Sequence, residues 1–182
     1  NDKNIELKIF ATGMHTLAKY GYTVNELYKG KFKNIYTFIN QQEYTPMDII
    51  LSNTIMGLSN YVHELQPDLI VVHGDRLEPL AGSIVGTFNS IYVAHIEGGE
   101  KSGTIDELIR HAITKLSHLH FVSNEEARKR LIQMGESEKS VFVIGSPDID
   151  VMLSSSLPTL QDVKKKYEID FKDYAILAYH SV

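Results

Sequence analysis

IYVAHIEGGEKSGTIDELIRH (residues 91–111) joins a predicted strand, a glycine-rich loop and the start of a predicted helix. The run 91–95 is β-branched and aromatic, which is typical of a buried strand. Thr104 and Glu107 have the spacing of a capping box, and apolar residues follow at helical spacing, so a helix is predicted to begin near Ile105. A strand that leads through a loop into a helix is the repeating unit of α/β folds.

The same passage contains four carboxylates, more than a loop needs in order to connect two elements. Glu107 is interpreted as a capping residue. Asp106 falls in the first turn of the helix, where an acid complements the helix dipole and can pair with Arg110 four residues on. Glu97 falls just past the end of the strand. For Asp106 and Glu97 the local sequence leaves a structural and a functional role equally open.

Composition limits the class of protein. The chain has 182 residues, of which 43% are hydrophobic, enough for one well-formed core. A net charge of −5 argues against a nucleic-acid-binding face. No apolar run approaches the roughly 20 residues that span a bilayer, and there is no cysteine for a disulfide or a zinc-thiolate site. We therefore predict a soluble cytoplasmic protein without nucleic-acid or membrane partners.

Further apolar runs extend the α/β pattern along the chain. Strands are predicted at residues 6–11, 69–72, 91–95, 119–123, 141–144 and 174–179. Capped helices are predicted between them, beginning at Thr45-Pro46 and ending near Leu65, at Ser123-Asn124, at Ser146-Pro147 and at Thr159. This alternation, with several continuous apolar strands, predicts a doubly wound parallel sheet of the Rossmann-like type.

Polar side chains follow almost every predicted strand. Ligands of open α/β sheets bind outside the carboxyl ends of the strands, so these exits predict a cleft. Taken singly, each residue also has a structural interpretation: His73 as a core histidine, Gly74 as a turn residue and Asp75 as a helix cap. The exits are Thr12-Gly13-Met14-His15, His73-Gly74-Asp75-Arg76, Glu97 with its glycine loop, Ser123, Gly145-Ser146 and His180.

His118 and His120 lie two residues apart, which places two imidazoles on one face of a predicted strand. Imidazoles suit a metal ion, but no third ligand of matching spacing lies nearby in the sequence. No metal site is therefore predicted.

Several motifs together resemble one known family. HGDR at 73–76, HIEGGE at 95–100, SGTID at 102–106 and IRHAITK at 109–115 closely resemble the hydrolysing UDP-N-acetylglucosamine 2-epimerases of sialic acid biosynthesis. The related non-hydrolysing epimerases have Glu-Ala-Gly-Leu-Arg in place of the Glu97-Gly98-Gly99-Glu100 type of loop. The resemblance covers essentially the whole chain.

The resemblance implies half of a two-domain, GT-B-like architecture. Residues 1–153 are expected to form an N-terminal Rossmann-like domain without the family's opening strand, and residues 154–173 the connection between domains. Residues 174–182 are expected to begin a C-terminal domain that contacts uridine. Family members commonly associate as dimers, so a homodimer is expected of the full-length protein.

The resemblance also implies a reaction and its residues. UDP leaves UDP-N-acetylglucosamine by anti elimination to a glycal, and water then adds to give N-acetylmannosamine, with no cofactor or metal. The catalytic residues implied are Asp75, Glu97, Asp106 and His180. The UDP-sugar is expected to contact Arg76, His15, Ser102 and Gly98, with Arg76 on the diphosphate.

Three alternatives remain open from the sequence. A close relative of the family acts on UDP-N,N'-diacetylbacillosamine in the legionaminic acid pathway, and the contacts to C4 and C6 of the sugar are not readable here. A GT-B glycosyltransferase would use the same fold and donor to form a glycosidic bond. A non-enzymatic sensor would bind the UDP-sugar without consuming it.

Overall fold

The computed structural model describes residues 3–178. The chain divides into two compact units, Asn1–Ile144 and Gly145–Val182. Tyr179 and His180 lie outside the described residues, so the predicted role of His180 stays a prediction.

All strands of the first unit are short and parallel. The strands are β1 Ile9–Ala11, β2 Ile35–Thr37, β3 Leu69–His73, β4 Tyr92–Ile96, β5 Leu119–Val122 and β6 Val141–Val143. β1 and β2 form a two-stranded sheet, and the remaining strands form a four-stranded sheet in the order β3-β4-β5-β6. Five of the predicted strands are confirmed, with ends that differ by at most three residues.

Helices alternate with these strands. The predicted long helix is confirmed and ends where Gln66 adopts a left-handed backbone conformation with φ +47°. The sequence did not predict β2 or α1, because neither segment is long enough to show a period. The helices are α1 Asn25–Lys29, α2 Met47–Leu65, α3 Leu77–Phe88, α4 Ile105–Lys115 and α5 Glu125–Gln133, with 3-10 turns at Gly13–Thr16, Ala18–Tyr20 and Glu138–Ser140.

One face of the four-stranded sheet forms the core under α3, α4 and α5. The register aligns Val72, His95, His120 and Val141 in one row across the four strands, and all four are buried. α3 lies close to the sheet at Gly86, where a Cβ would come within 2.4 Å of the Val93 side chain. The absence of a side chain on glycine allows this approach. On the opposite face, Leu69, Val71, Tyr92 and Phe142 are 42–64% exposed.

The second unit contains two short helices, α6 Pro147–Met152 and α7 Leu160–Lys166. Both predicted starts are confirmed: Pro147 lies in the first turn of α6, and Thr159 caps α7 by accepting from the backbone N–H of Asp162 at 3.2 Å. The predicted strand at 174–179 is wrong over residues 174–178, which are irregular. A strand needs a neighbouring backbone, and no strand pairs with this segment within residues 3–178. The predicted domain limits stay predictions.

Replacement of Ile113 by alanine is expected to destabilise the first unit. Ile113 is fully buried beside Val72 and Val93, and emptying such a site costs about 2–5 kcal/mol. Leu108→Ala on the same helix is the control, because Leu108 is 66% exposed and such surface changes cost about 0.5 kcal/mol or less. Urea unfolding measures both changes, and equal losses would contradict this description of the core.

Candidate active site

The exits of β3 and β4 meet at one edge of the sheet. His73 pairs with Ile96 in the parallel register, and the backbone N–H of Gly74 donates to the Ile96 carbonyl at 3.0 Å. Gly74 has φ +79° and makes the predicted turn. Asp75 and Glu97 therefore leave neighbouring strands side by side, as the sequence predicts for a cleft.

Asp75 is paired with a buried arginine. Nη2 of Arg110 donates to the Asp75 carboxylate, and Nη1 donates to the Glu100 carbonyl at 2.7 Å. One structural interpretation is wrong here. Asp75 does not cap α3, whose N-cap is Arg76 without a side-chain bond. Arg110, which helical spacing allows to pair with Asp106, binds Asp75 instead.

Glu97 combines an unusual backbone with a histidine partner. Its φ of +63° lies in the left-handed region, which non-glycine residues adopt at a cost of about 1 kcal/mol or more. Nε2–H of His73 donates to the Glu97 carboxylate at 2.7 Å. The side chain of His73 is 49% exposed, so the interpretation of His73 as a core histidine is wrong. The Glu97 carboxylate is therefore held beside the imidazole of His73.

Asp106 lies in the first turn of α4, as predicted, and Thr104 Oγ1 donates to its carboxylate at 3.4 Å. Asp106 and Arg76 both line a cavity of about 440 Å³. The other walls are the 3-10 turns at Gly13–Thr16 and Ala18–Tyr20, residues 41–50 and the beginnings of α3 and α4. Two of the predicted site residues, Arg76 after β3 and Asp106 at the start of α4, thus line the same cavity.

Glu107 has the structural role predicted for it, although with different partners. Its carboxylate accepts backbone N–H bonds from Gly103 and Ser102, each at 2.7 Å, and these bonds lower the pKa of Glu107. Thr104 is the N-cap by position but makes no side-chain cap bond. Ser102 therefore lies in a loop that Glu107 holds in place.

Gly98 and His15 have local contacts of their own. A Cβ on Gly98 would lie 2.9 Å from Nδ1 of His95, so packing requires a glycine there. His15 is exposed and bonds Thr23 Oγ1 at 2.7 Å. The predicted substrate contacts of both residues stay predictions.

His95 connects the sheet to the turn before Asp75. It is fully buried, its Nε2–H donates to the Gly74 carbonyl at 2.8 Å, and Nδ1 faces Thr114 Oγ1 at 3.4 Å. Burial lowers the pKa of His95 to about 4, so the imidazole is neutral at pH 7. Burial also lowers the pKa of the adjacent His120, against the opposing effect of the Glu136 carboxylate 3.3 Å away.

The glycine loop is held by residues that sequence reasoning missed. Arg130 donates to the Gly99 carbonyl, Arg110 to the Glu100 carbonyl, and Asn124 Nδ2 to the Glu100 carboxylate at 2.8 Å. Asn124 is also the side-chain cap of α5, accepting from the Ala127 N–H at 2.8 Å. The capping motif could have drawn attention to Asn124, but nothing in the sequence indicates the two arginine contacts.

Within residues 3–178, no three histidine, aspartate or glutamate side chains are grouped to hold a metal ion. His118 instead accepts the Val93 N–H through Nδ1 at 3.1 Å. Among the described helices, none is both long enough and apolar enough to cross a bilayer.

The whole chain is similar in sequence to sugar-nucleotide epimerases. Residues 1–182 match the family model for UDP-N-acetylglucosamine 2-epimerase. The UDP-N-acetylglucosamine 2-epimerase of Neisseria meningitidis serogroup B is 48% identical over 182 residues, 100% of this chain and 48% of that protein. The UDP-N,N'-diacetylbacillosamine 2-epimerase (hydrolyzing) of Legionella pneumophila is 38% identical, covering 99% of this chain and 49% of that protein.

The fold is similar as well. A crystal structure of UDP-GlcNAc 2-epimerase from Neisseria meningitidis bound to UDP-GlcNAc matches with a TM-score of 0.76 at 25% identity, covering 91% of this chain and 46% of that one. The match confirms the predicted α/β fold with parallel sheets as about half of a GT-B-like architecture. The chain spans about half the length of the curated relatives it matches.

The buried, neutral His95 predicts that stability depends on pH. Its pKa is about 4 in the folded protein against 6.5 ordinarily, so between these values the unfolded state binds more protons. The free energy of unfolding therefore falls as the pH is lowered through this window, by roughly 3 kcal/mol from this group. Urea unfolding at several pH values between about 7 and 4 measures the slope.

His95→Gln is expected to flatten that slope, because glutamine does not titrate. His63→Gln is the matched control, since His63 lies on the exposed surface of α2, and it should keep the wild-type slope. Equal slopes for wild type and His95→Gln would show that His95 is not the group responsible.

Proposed function

Because the chain belongs to the UDP-N-acetylglucosamine 2-epimerase family, we propose that it forms one wall of an active site that converts UDP-GlcNAc and water to N-acetylmannosamine and UDP. The observation that carries the proposal is that Asp75 and Glu97 follow the ends of neighbouring parallel strands, while Asp106 and Arg76 line one cavity of the same unit. The Neisseria relative of known structure binds UDP-GlcNAc.

The proposed reaction begins with elimination. The C1–O bond to UDP breaks, the C2–H bond breaks, and a C1=C2 double bond forms. C2–H is not adjacent to a carbonyl, so departure of UDP must first build positive charge at C1. A carboxylate in the cleft can stabilise that charge and accept the C2 proton.

Hydration completes the reaction. Water adds its oxygen to C1 and gives one proton to a carboxylate, while a carboxylic acid delivers a proton to C2 on the opposite face of the ring, which inverts C2. Two acids on different sides of the sugar suit these two proton transfers better than one. Asp75 follows β3, Glu97 follows β4 and Asp106 lies in α4. Their positions on different elements support a division of the two proton transfers between two acids.

The remaining predicted residues are assigned to binding and to the second domain. Arg76 at the start of α3 offers its charge to the diphosphate, where the helix dipole adds to it. Ser102, Gly98 and His15 are proposed to contact the sugar. His180 is proposed to act from a C-terminal domain beginning near residue 174, reached through residues 154–173 from a domain at residues 1–153.

The hydrolysing branch and a sialic acid role are the finer parts of the proposal. The Glu97-Gly98-Gly99-Glu100 loop supports the first, and so does similarity to a relative named as hydrolysing. We expect a cytoplasmic homodimer as the full-length form. The second candidate substrate is UDP-N,N'-diacetylbacillosamine, which the Legionella relative at 38% identity favours.

One experiment tests the reaction and the substrate. The protein at the full length of its relatives is incubated in D2O with UDP-GlcNAc and, in parallel, with UDP-N,N'-diacetylbacillosamine. We expect UDP release and N-acetylmannosamine carrying deuterium at C2, and faster turnover of UDP-GlcNAc. A new glycosidic bond would indicate a glycosyltransferase, and unchanged UDP-sugar a sensor, so either result contradicts the proposal.

The three acids are expected to be needed for turnover. Asp75→Asn, Glu97→Gln and Asp106→Asn should each lower kcat by about 10²-fold or more, because proton transfer by a positioned group contributes about 10²–10⁴-fold. Circular dichroism checks that each variant is folded. Glu126→Gln, an exposed acid of α5, is the control and should remain near wild type. Near wild-type turnover in any acid variant would remove that residue from the catalytic set.

A further inference from the structure

We propose that Arg110 is a positioning residue that holds the Asp75 carboxylate in its working orientation, an inference that rests on the proposed function. None of the motif-derived roles includes Arg110. Its position is carried by α4, where the flanking Ile109 and nearby Ile113 are buried in the core. The backbone of Arg110 is therefore fixed by packing that is independent of its charge.

The guanidinium joins the two loops that carry the acids. Nη2 donates to the Asp75 carboxylate after β3, and Nη1 donates to the Glu100 carbonyl after β4 at 2.7 Å. The planar fork of an arginine can serve two acceptors in fixed relative positions, which the single ammonium of a lysine cannot. The orientation of Asp75 is thus set by the same group that sets the glycine loop.

Burial makes loss of the contact between Arg110 and Asp75 energetically costly. The side chain of Arg110 is 8% exposed and that of Asp75 is 27% exposed. A buried charge without its partner is strongly unfavourable, whereas a pair can be replaced as a whole at much lower cost. Rotation of Asp75 away from Arg110 would leave such a charge, so the carboxylate has little freedom.

Arg110 acts through Asp75 rather than on the substrate. The side chain of Arg110 is 8% exposed, against 27% for Asp75, so the carboxylate and not the guanidinium is the more open of the two. Nη1 and Nη2 of Arg110 both already donate to acceptors within the protein. Loss of Arg110 should therefore change the rate of the chemical step more than the binding of the UDP-sugar.

The test is a double-mutant cycle in the full-length enzyme, with kcat and KM for UDP-GlcNAc measured for Arg110→Met, Asp75→Asn and the double variant. We expect Arg110→Met to lower kcat by about 10²-fold with KM changed less than about 3-fold. The double variant should be no slower than Asp75→Asn alone, because two residues that act as a unit are not additive. Arg110→Lys should recover part of the kcat lost in Arg110→Met.

Folding is controlled within the same set. The double variant removes both charges, so it keeps the fold even where a single variant leaves an unpaired charge. Arg128→Met on α5 breaks an ion pair with the exposed Glu138, and this variant should stay within about 2-fold of wild type.

Two results would overturn the proposal in different ways. Wild-type kcat in Arg110→Met, or losses that multiply in the double variant, would overturn the role of Arg110 while leaving the proposed function intact. No UDP release by the wild-type enzyme would overturn the proposed function and, with it, this role.

Discussion

The parallel register of β3 and β4 is the constraint on which the site depends. It places the exits of two strands at one edge of the sheet, where the Gly74 N–H reaches the Ile96 carbonyl. The buried His95 then binds the Gly74 carbonyl from beneath the same turn. Hydrogen bonds to both the N–H and the carbonyl of Gly74 hold this turn. The backbone positions of Asp75 and Glu97 are therefore fixed relative to each other. An enzyme gains from such rigidity because the reacting groups are oriented before the substrate arrives.

The three acids sit in different electrostatic surroundings. Asp75 faces the permanent charge of Arg110, Glu97 accepts a hydrogen bond from the imidazole of His73, and Asp106 lies at the positive end of α4. The three carboxylates therefore have different neighbours, although all three lie near one edge of the sheet. The proposed reaction, which removes a proton from one face of the sugar and returns one to the other, is suited to carboxylates with different neighbours.

Much of the fold could be predicted because it depends on local pattern. Continuous apolar runs located five strands, and capping residues located the long helix α2 and the start of α4. The failures also have physical causes. β2 and α1 are too short to show a period, and residues 174–178 have the apolar composition of a strand but no described neighbour with which to pair. Of the site, sequence reasoning indicated the acids but not the groups that hold them.

The amino-acid sequence by itself determined the order of strands, loops and helices, the family, and which loops carry carboxylates, because periodicity, caps and glycines act over a few residues. Only the tertiary structure decided which charges meet. Arg110 reaches Asp75 across 35 residues, and His73 reaches Glu97 across 24. Helical spacing allowed Arg110 to pair with Asp106, which is four residues away. The tertiary structure pairs Arg110 with Asp75 instead, because packing of α4 against the sheet places the buried guanidinium beside the loops that follow β3 and β4.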